Sequence, residues 1–157
     1  MKLNKLITCS YETEITGIKI DSREVEKGDL FIAVKGFNID HNLYIDDAIK
    51  KGAVAVISER NWQKSVPVIK VDNIEEALVE ICKKFYSYNN NIRLIGITGT
   101  DGKTTTATIL EELLTLKEKT SYIGTNGIKT EEGYQSTENT TPSVDKMYKY
   151  LSELYKN

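Results

Sequence analysis

The sequence has no excess of charge of either sign, and this excludes two broad classes of partner. Its 157 residues include 21 lysines and arginines and 23 aspartates and glutamates. Without a basic field, neither a nucleic acid nor a membrane surface is expected as a partner. A ligand the size of a nucleotide fits this composition better than a polymer does.

Long apolar runs and closely spaced cysteines are also missing. No stretch approaches the roughly 20 apolar residues of a membrane span, and the N-terminus lacks the apolar core of a secretion signal. We therefore expect a cytoplasmic protein. Cys9 and Cys82 stand far apart without a partner motif, so we predict no metal site at these cysteines and interpret both as buried thiols without a role.

What the sequence does have is a glycine-rich stretch, Gly96–Thr104, after the apolar run 92–97 and before a helical pattern that extends to about Leu116. Strand, glycine turn and helix start are the context of a phosphate-binding loop, because amides at a helix N-terminus attract anions. Glycines let those amides converge on a phosphate. Lys103 would then approach the β- and γ-phosphates of ATP, and the Thr104 hydroxyl would be a ligand for Mg²⁺.

The glycine spacing departs from the common phosphate-binding loop. That loop has a glycine five residues before the glycine that precedes the lysine, and Ile97 occupies this place here. The alternative interpretation is therefore a strand-to-helix turn with a solvated lysine. The hydroxyl directly after Lys103, together with the strand and helix context, favours the phosphate site.

Short apolar runs alternate with helical patterns in the first half of the chain and predict an α/β fold. Strands are expected near 16–20, 29–34, 53–57 and 66–71. One helix is expected at 43–51, ended by Gly52, and a second from Ile74 to Phe85, capped by Asp72 or Asn73.

The polar segment 86–91 predicts a linker, with domains at 1–88 and 89–157. The second part is expected to continue with a strand at 92–97, the loop and its helix, and a strand at 120–123. A turn at 124–127, a hairpin around 131–133 and a final helix from Val144 follow. Because an α/β nucleotide-binding domain typically needs ~100 residues or more, we expect this second domain to be incomplete.

Three motifs, in order along the chain, resemble those of the Mur ligase family. The loop from Gly99 to Thr105 is similar to the ATP-binding signature of that family, which shows the same unusual glycine spacing. Asp21-Ser22-Arg23, followed by the segments 28–36, 48–49 and 52–57, resembles the N-terminal UDP-binding domain of the branch that adds the third amino acid. The residues 139–142, Asn-Thr-Thr-Pro, resemble the substrate signature of that branch.

The resemblance implies a role for each matched position. ATP would bind at Gly99, Thr100, Asp101, Gly102, Lys103, Thr104 and Thr105, with Lys103 as the catalytic residue and Thr104 as the metal ligand. The UDP-muramoyl substrate would be bound by Ser22, Phe37, Asn38, Asn139, Thr140 and Thr141. For Ser22 the alternative is a turn serine bonded to its own backbone, and for 139–141 it is helix capping. His41 is interpreted as a turn residue and not as an acid or base.

The implied fold is a small N-terminal α/β UDP-binding domain followed by the start of an α/β ATPase domain of the phosphate-loop type. The implied reaction is ATP-dependent and Mg²⁺-dependent amide ligation in peptidoglycan precursor synthesis. UDP-N-acetylmuramoyl-dipeptide forms an acyl phosphate, which a free amino acid then attacks. The chain as given is expected to lack the complete catalytic machinery. The alternatives are a non-catalytic UDP-sugar-binding module and another Mur-type ligase, such as a relative of cyanophycin synthetase.

Overall fold

The computed structural model describes residues 1–35, 41–88, 91–130, 133–137 and 141–156. The chain divides into two compact units, Met1–Tyr88 and Asn89–Asn157, which we call the first and the second unit. Among the described residues, no helix combines the length and apolar character needed to span a bilayer. Each unit is treated separately below.

The first unit is built on a four-stranded parallel sheet. Its strands are β1 (Gly17–Lys19), β2 (Asp29–Ile32), β3 (Ala55–Ser58) and β4 (Val68–Lys70), and they lie in the order of the sequence. Register pairs Ile18 with Leu30, Phe31 with Val56, and Ile57 with Ile69. The α/β class predicted from the alternation of strands and helices is confirmed.

Burial explains why β2 and β3 occupy the centre of the sheet. Every residue of both strands is buried, whereas β4 is only half-buried to exposed. Continuous apolar runs are typical of parallel strands that are covered on both faces. On one side, Phe31 and Val56 pack in a cluster with Ile45 and Ala48 of the helix α2 (Ile45–Lys51).

The helix predicted at 74–85 has the bounds expected, the helix predicted at 43–51 begins at Ile45, and a short N-terminal helix was not predicted. Gly52 ends α2 at φ 115°, a backbone conformation that favours glycine, and its N–H bonds to the carbonyls of Ala48 and Ile49. The helix α3 (Ile74–Phe85) is capped by Asn73, whose side chain accepts from the amides of Glu75 and Glu76. A short helix, α1 (Leu3–Leu6), contacts α3, and Lys84 Nζ donates to the Leu6 carbonyl at 3.0 Å.

The second unit combines two helices with a small antiparallel sheet. Its elements are α4 (Lys103–Thr115), β5 (Ile123–Gly124), β6 (Gly127–Thr130), β7 (Gly133–Gln135) and α5 (Val144–Lys156). The sheet order is β5-β6-β7, with Ile123 opposite Ile128 and Lys129 opposite Tyr134. Three features agree with the sequence predictions: the turn between β5 and β6, the pairing of β6 with β7 across residues 131–132, and the final helix.

Two predicted strands of the second unit are wrong. Residues 92–97 form no strand, and Leu94 and Ile95 are 62% and 53% exposed. The strand expected at 120–123 is limited to Ile123–Gly124. A strand requires a neighbour to satisfy its backbone groups, and no backbone hydrogen bond joins 92–97 to another described residue.

Candidate functional site

The glycine loop of the second unit leads directly into α4. Gly102 occupies the N-cap position at φ 72°, in the left-handed region, and no side chain caps the helix. A residue with a Cβ would be strained there, which explains why glycine precedes Lys103. The first intrahelical bond runs from the Thr106 amide to the Gly102 carbonyl at 2.9 Å. The helix therefore begins without a side chain bonded to its first amides.

The amides of the loop and first turn are open to a ligand. Within the described part of the chain, no hydrogen bond is donated by a backbone amide of residues 99–105. Unsatisfied donors at a helix N-terminus, where the helix dipole is positive, form a binding site for anions. These amides are not satisfied internally, so the geometry fits the predicted phosphate site.

Lys103 adds a positive charge to the same loop. Its Nζ donates to the Gly99 carbonyl at 2.6 Å and to the Thr100 carbonyl at 3.2 Å. These bonds hold the ammonium group against the carbonyls of the loop itself. An ammonium carries three donors, so the group can bind carbonyls and a phosphate oxygen together or exchange one for the other.

Thr104 fits the role of a magnesium ligand. It is half-buried, and its hydroxyl donates to the Thr125 hydroxyl at 3.4 Å, a long and weak contact. The described residues contain no group of three or more His, Cys, Asp or Glu side chains that could hold a metal. Mg²⁺ usually takes one or two protein oxygens together with waters and substrate phosphates, so one hydroxyl beside a triphosphate suits it.

An ion pair with a buried carboxylate, absent from the sequence predictions, fixes α4 to the sheet of the second unit. Glu111 is only 4% exposed, and its carboxylate accepts from Lys129 Nζ at 2.8 Å and from the Thr115 hydroxyl at 2.9 Å. The hydrogen bond to Glu111 raises the pKa of Lys129. Because Lys129 belongs to β6, this pair orients the helix that carries the loop. The available signal was a polar stripe on α4 formed by Thr104, Thr108, Glu111 and Thr115.

Asp145 was also missed by sequence reasoning. It lies in the first turn of α5, is 4% exposed, and its Oδ1 has no hydrogen-bond partner among the described residues. A buried carboxylate oxygen without a partner is costly. Thr141, the one described residue of the predicted 139–141 substrate group, is exposed and precedes the same helix.

In the first unit, Ser22 follows β1 in a short 3₁₀ helix, Ser22–Glu24, and is 8% exposed. The Asp21 carboxylate caps this helix by accepting a hydrogen bond from the Arg23 backbone amide at 2.8 Å. It also accepts one from Nη2 of the Arg23 guanidinium at 2.6 Å. The guanidinium beside it lowers the pKa of Asp21 to about 2. The ion pair with Arg23 therefore fixes the turn that carries Ser22.

Further polar groups lie at the carboxyl ends of strands β1, β2 and β3 of the first unit. The imidazole Nδ1 of His41 donates to the Ile20 carbonyl at 2.6 Å, directly after β1. Asn42 donates to the Ala33 carbonyl at 3.5 Å after β2, and accepts from the Ser58 hydroxyl at 2.7 Å at the end of β3. The carboxyl edge of a parallel α/β sheet is where ligands bind in such folds. His41 bonds to the main chain there, consistent with a structural role.

Four predicted substrate residues, Phe37, Asn38, Asn139 and Thr140, lie outside the described residues. Ser22 and Thr141 are placed by the structure, but their contacts with a substrate stay predictions. The same holds for the individual ATP contacts of residues 99–105. The loop geometry described above brings the open amides of 99–105 and the Lys103 ammonium together in one place.

Two family models match the chain. The model "Mur ligase family, catalytic domain" matches residues 14–86, and "Mur ligase middle domain" matches residues 97–157. Together they account for most of the sequence. The chain belongs to the Mur ligase family.

Individual relatives agree with this assignment. The UDP-N-acetylmuramoyl-L-alanyl-D-glutamate–2,6-diaminopimelate ligase of Halalkalibacterium halodurans is 38% identical over 146 residues, which cover 92% of this chain and 30% of the relative. Thus the chain spans about a third of the length of the curated relatives it matches.

Solved structures show the same fold. A structure of a UDP-N-acetylmuramoyl-L-alanyl-D-glutamate–2,6-diaminopimelate ligase matches 99% of this chain and 34% of its own at TM-score 0.74 and 23% identity. The MurF ligase from Thermotoga maritima, solved in complex with ADP, matches 67% of this chain and 24% of its own. It does so at TM-score 0.52 and 36% identity.

Proposed function

We propose that this chain is the substrate-binding and phosphate-binding portion of an ATP-dependent ligase of peptidoglycan precursor synthesis. In this proposal residues 1–88 bind UDP-N-acetylmuramoyl-dipeptide, and residues 89–157 begin the central ATP-binding domain. The free amine to be joined is an amino acid, and the printed names of the relatives favour 2,6-diaminopimelate. Such cell-wall precursors are made in the cytoplasm, which is the proposed location.

The observation that carries the proposal is the open loop of the second unit in a chain of this family. The amides of 99–105 have no partner among the described residues, and Lys103 lies on the same loop. A nucleotide's phosphates supply the anion that such a loop attracts. The relative solved with ADP supports a nucleotide as the ligand.

The residues of the loop would act by positioning and by neutralising charge. The amides and the Lys103 ammonium would bind phosphate oxygens and stabilise the negative charge as the γ-phosphoryl group moves to the substrate carboxylate. The resulting acyl phosphate is the activated group that the amine attacks. Thr104 would hold Mg²⁺, which neutralises phosphate charge when bound.

Calorimetric titration of the 157-residue chain tests the proposal. We expect binding of Mg·ATP and, in a separate titration, of UDP-N-acetylmuramoyl-dipeptide. Lys103→Ala should weaken Mg·ATP binding at least about tenfold, because a charged partner of the phosphates is lost, and should leave binding of the UDP compound unchanged. Lys117→Ala, an equal change of charge at an exposed residue after α4, is the matched control and should bind as the wild type does.

Each other outcome has a definite meaning. Binding of the UDP compound alone would identify a non-catalytic UDP-sugar-binding module. Binding of neither ligand would contradict the proposal as a whole. Unchanged Mg·ATP affinity in Lys103→Ala would remove this lysine from the phosphate site.

A further inference from the structure

Two side chains distant in sequence hold the main chain around Ser22. The Ile20 carbonyl accepts a hydrogen bond from Nδ1 of His41 at 2.6 Å, and the Arg23 carbonyl accepts one from Nζ of Lys51 at 2.8 Å. Because a carbonyl only accepts, Nδ1 of His41 must carry a proton. The two accepting residues lie on either side of Ser22, so the backbone of its turn is held both before and after the serine.

Both donors belong to one ordered segment, residues 41–51. This segment begins with the 3₁₀ helix His41–Tyr44, which leads directly into α2, and Lys51 is the last residue of α2. The helix α2 packs into the apolar cluster of the first unit and also contacts the 3₁₀ helix that carries Ser22. Because the segment is closely packed, the two donors keep a fixed spacing.

A buried polar pair joins the start of this segment to the sheet. Asn42 and Ser58 are 8% and 0% exposed, and the Ser58 hydroxyl donates to Oδ1 of Asn42 at 2.7 Å. The same hydroxyl accepts from the Arg60 amide at 3.0 Å, and the Asn42 amide donates to the Ala33 carbonyl at 3.5 Å. Breaking a buried bond of this kind leaves a polar group without a partner, which is costly. The residue after His41 is thus fixed to the ends of β2 and β3.

The Ser22 hydroxyl is the group that this arrangement leaves available. Its side chain is largely buried, yet the hydroxyl forms no hydrogen bond with another described residue. The Asp21 carboxylate caps the turn in its place. Since a largely buried hydroxyl normally has a partner, this one is suited to bond with a ligand.

We propose that His41 and Lys51 are positioning residues for the UDP-linked substrate. Their bonds to the carbonyls of Ile20 and Arg23 hold the turn in the conformation in which the Ser22 hydroxyl bonds to that substrate. Both act through the main chain of the turn and not by contact with the substrate. A hydroxyl held in place before binding loses less conformational freedom when the ligand arrives. This inference rests on the proposed function and deepens its substrate-binding part.

Calorimetric titration of the 157-residue chain with UDP-N-acetylmuramoyl-dipeptide tests the role of Lys51. Lys51→Met removes the donor and retains most of the side chain, and it should weaken binding at least about threefold. Lys51→Arg retains a donor and should bind as the wild type does. Lys50→Met is the matched control, since it removes the same charge from the same helical turn. Lys50 pairs with Asp47 at 3.6 Å and not with the turn of Ser22.

The same titration tests His41. His41→Ala removes the bond to the Ile20 carbonyl and should weaken binding at least about threefold. His41→Asn should restore most of the affinity, because an asparagine amide can donate from close to the place of Nδ1.

A Ser22→Ala background separates positioning from a general structural role. If Lys51 acts through the Ser22 hydroxyl, Lys51→Met should weaken binding in the wild type and have no further effect in Ser22→Ala. The urea midpoint followed by Trp62 fluorescence should be the same for Lys51→Met and Lys50→Met, since Trp62 packs against the core of the first unit. A general structural role would instead weaken binding equally in both backgrounds.

The wild-type titration, made first, distinguishes the two possible failures. If the wild type bound no UDP compound, the proposed function would be contradicted and this inference with it. If the wild type bound, wild-type affinity in Lys51→Met or in His41→Ala would overturn this inference alone. An equal loss of affinity with and without the Ser22 hydroxyl would do the same.

Discussion

The two units of this chain differ most in what they bury. In the described residues, every buried apolar side chain belongs to the first unit except Tyr122, Ile128 and Leu151. The second unit buries Glu111, Asp145 and Ser152, and it exposes apolar side chains on α4. The first unit is stabilised by an apolar core, whereas the second depends on specific polar links.

This difference shows that a binding motif can form without a complete apolar core around it. The glycine loop that we propose to bind phosphate consists of a helix N-terminus, glycine at position 102 and the lysine after it, and all three are local features. A parallel sheet needs strands from distant parts of a chain. The loop geometry is accordingly present in a unit whose described residues form only an antiparallel sheet.

The largest expected effect on stability comes from replacing one leucine by alanine in each unit. Leu30→Ala removes a fully buried side chain of β2, and Leu113→Ala removes one that is 59% exposed. We expect Leu30→Ala to lower the free energy of unfolding of the first unit by about 2–5 kcal/mol, and Leu113→Ala to change stability by less than about 0.5 kcal/mol.

The single tryptophan makes the comparison measurable. Trp62 packs against the core of the first unit, so its fluorescence during urea denaturation follows that unit. Hydrogen exchange along α4 follows the second unit. Equal effects of the two leucine substitutions, each on its own unit, would show that the second unit has a core like that of the first.

The next effect concerns the polar link of the second unit. Glu111→Gln should destabilise it measurably, because the Lys129 ammonium loses its charged partner while the substituted side chain stays buried. Thr108→Ala, which removes an ordinary hydroxyl bond to the Thr104 carbonyl, is the control and should cost less. Exchange rates on α4 and β6 provide the measurement.

This link also has a defined pH dependence. The folded pKa of Lys129 is raised by Glu111, so the stabilisation is complete below the unfolded value of 10.5 and is lost as the pH rises through the folded value. In alkaline solution the difference between wild type and Glu111→Gln should therefore shrink. A difference that grew with pH would contradict the assignment.

The two units also differ in how the N-termini of their helices are capped. Asn73 caps α3 in the first unit, whereas Gly102 leaves the start of α4 without a side-chain cap. Asn73→Ala should cost about 1 kcal/mol in the Trp62 denaturation curve, and Asn73→Asp, which retains the capping oxygen, should cost much less. Equal losses in both variants would mean that the cap contributes nothing measurable.

The same contrast explains how much could be predicted from the sequence. The strands and helices of the first unit were predictable because continuous apolar runs, Gly52 and Asn73 are local signals. The strand at 92–97 was wrong because its apolar run is also local, whereas a strand exists only with its neighbours. The glycine loop was predictable because its conformation depends on glycines and a lysine that lie within a few residues of one another.

The ion pair between Glu111 and Lys129 lay beyond sequence reasoning. The two residues are separated by 18 positions, and their contact depends on the register that brings β6 against α4. A helix with an apolar stripe normally buries that stripe and exposes its polar side. A buried charge paired across elements reverses that rule.

The smallest expected effect tests the turn that carries Ser22 in the first unit. The folded pKa of Asp21 is about 2, below its ordinary value of 3.8, because of Arg23. The stabilisation from this pair is present above the unfolded value and is lost as the pH falls from about 4 to about 2. Since the pair is largely solvated, it should contribute less than about 1 kcal/mol.

Asp21→Asn should therefore flatten the decline in urea midpoint, followed by Trp62 fluorescence, between pH 5 and pH 2. Glu24→Gln, an equal change at another carboxylate of the same turn, serves as the control. An equally steep decline in Asp21→Asn would place the acid sensitivity elsewhere in the first unit. The loss of stability at acidic pH belongs to the first unit, and the loss at alkaline pH belongs to the second. Opposite ends of the pH range should therefore destabilise different units of the chain.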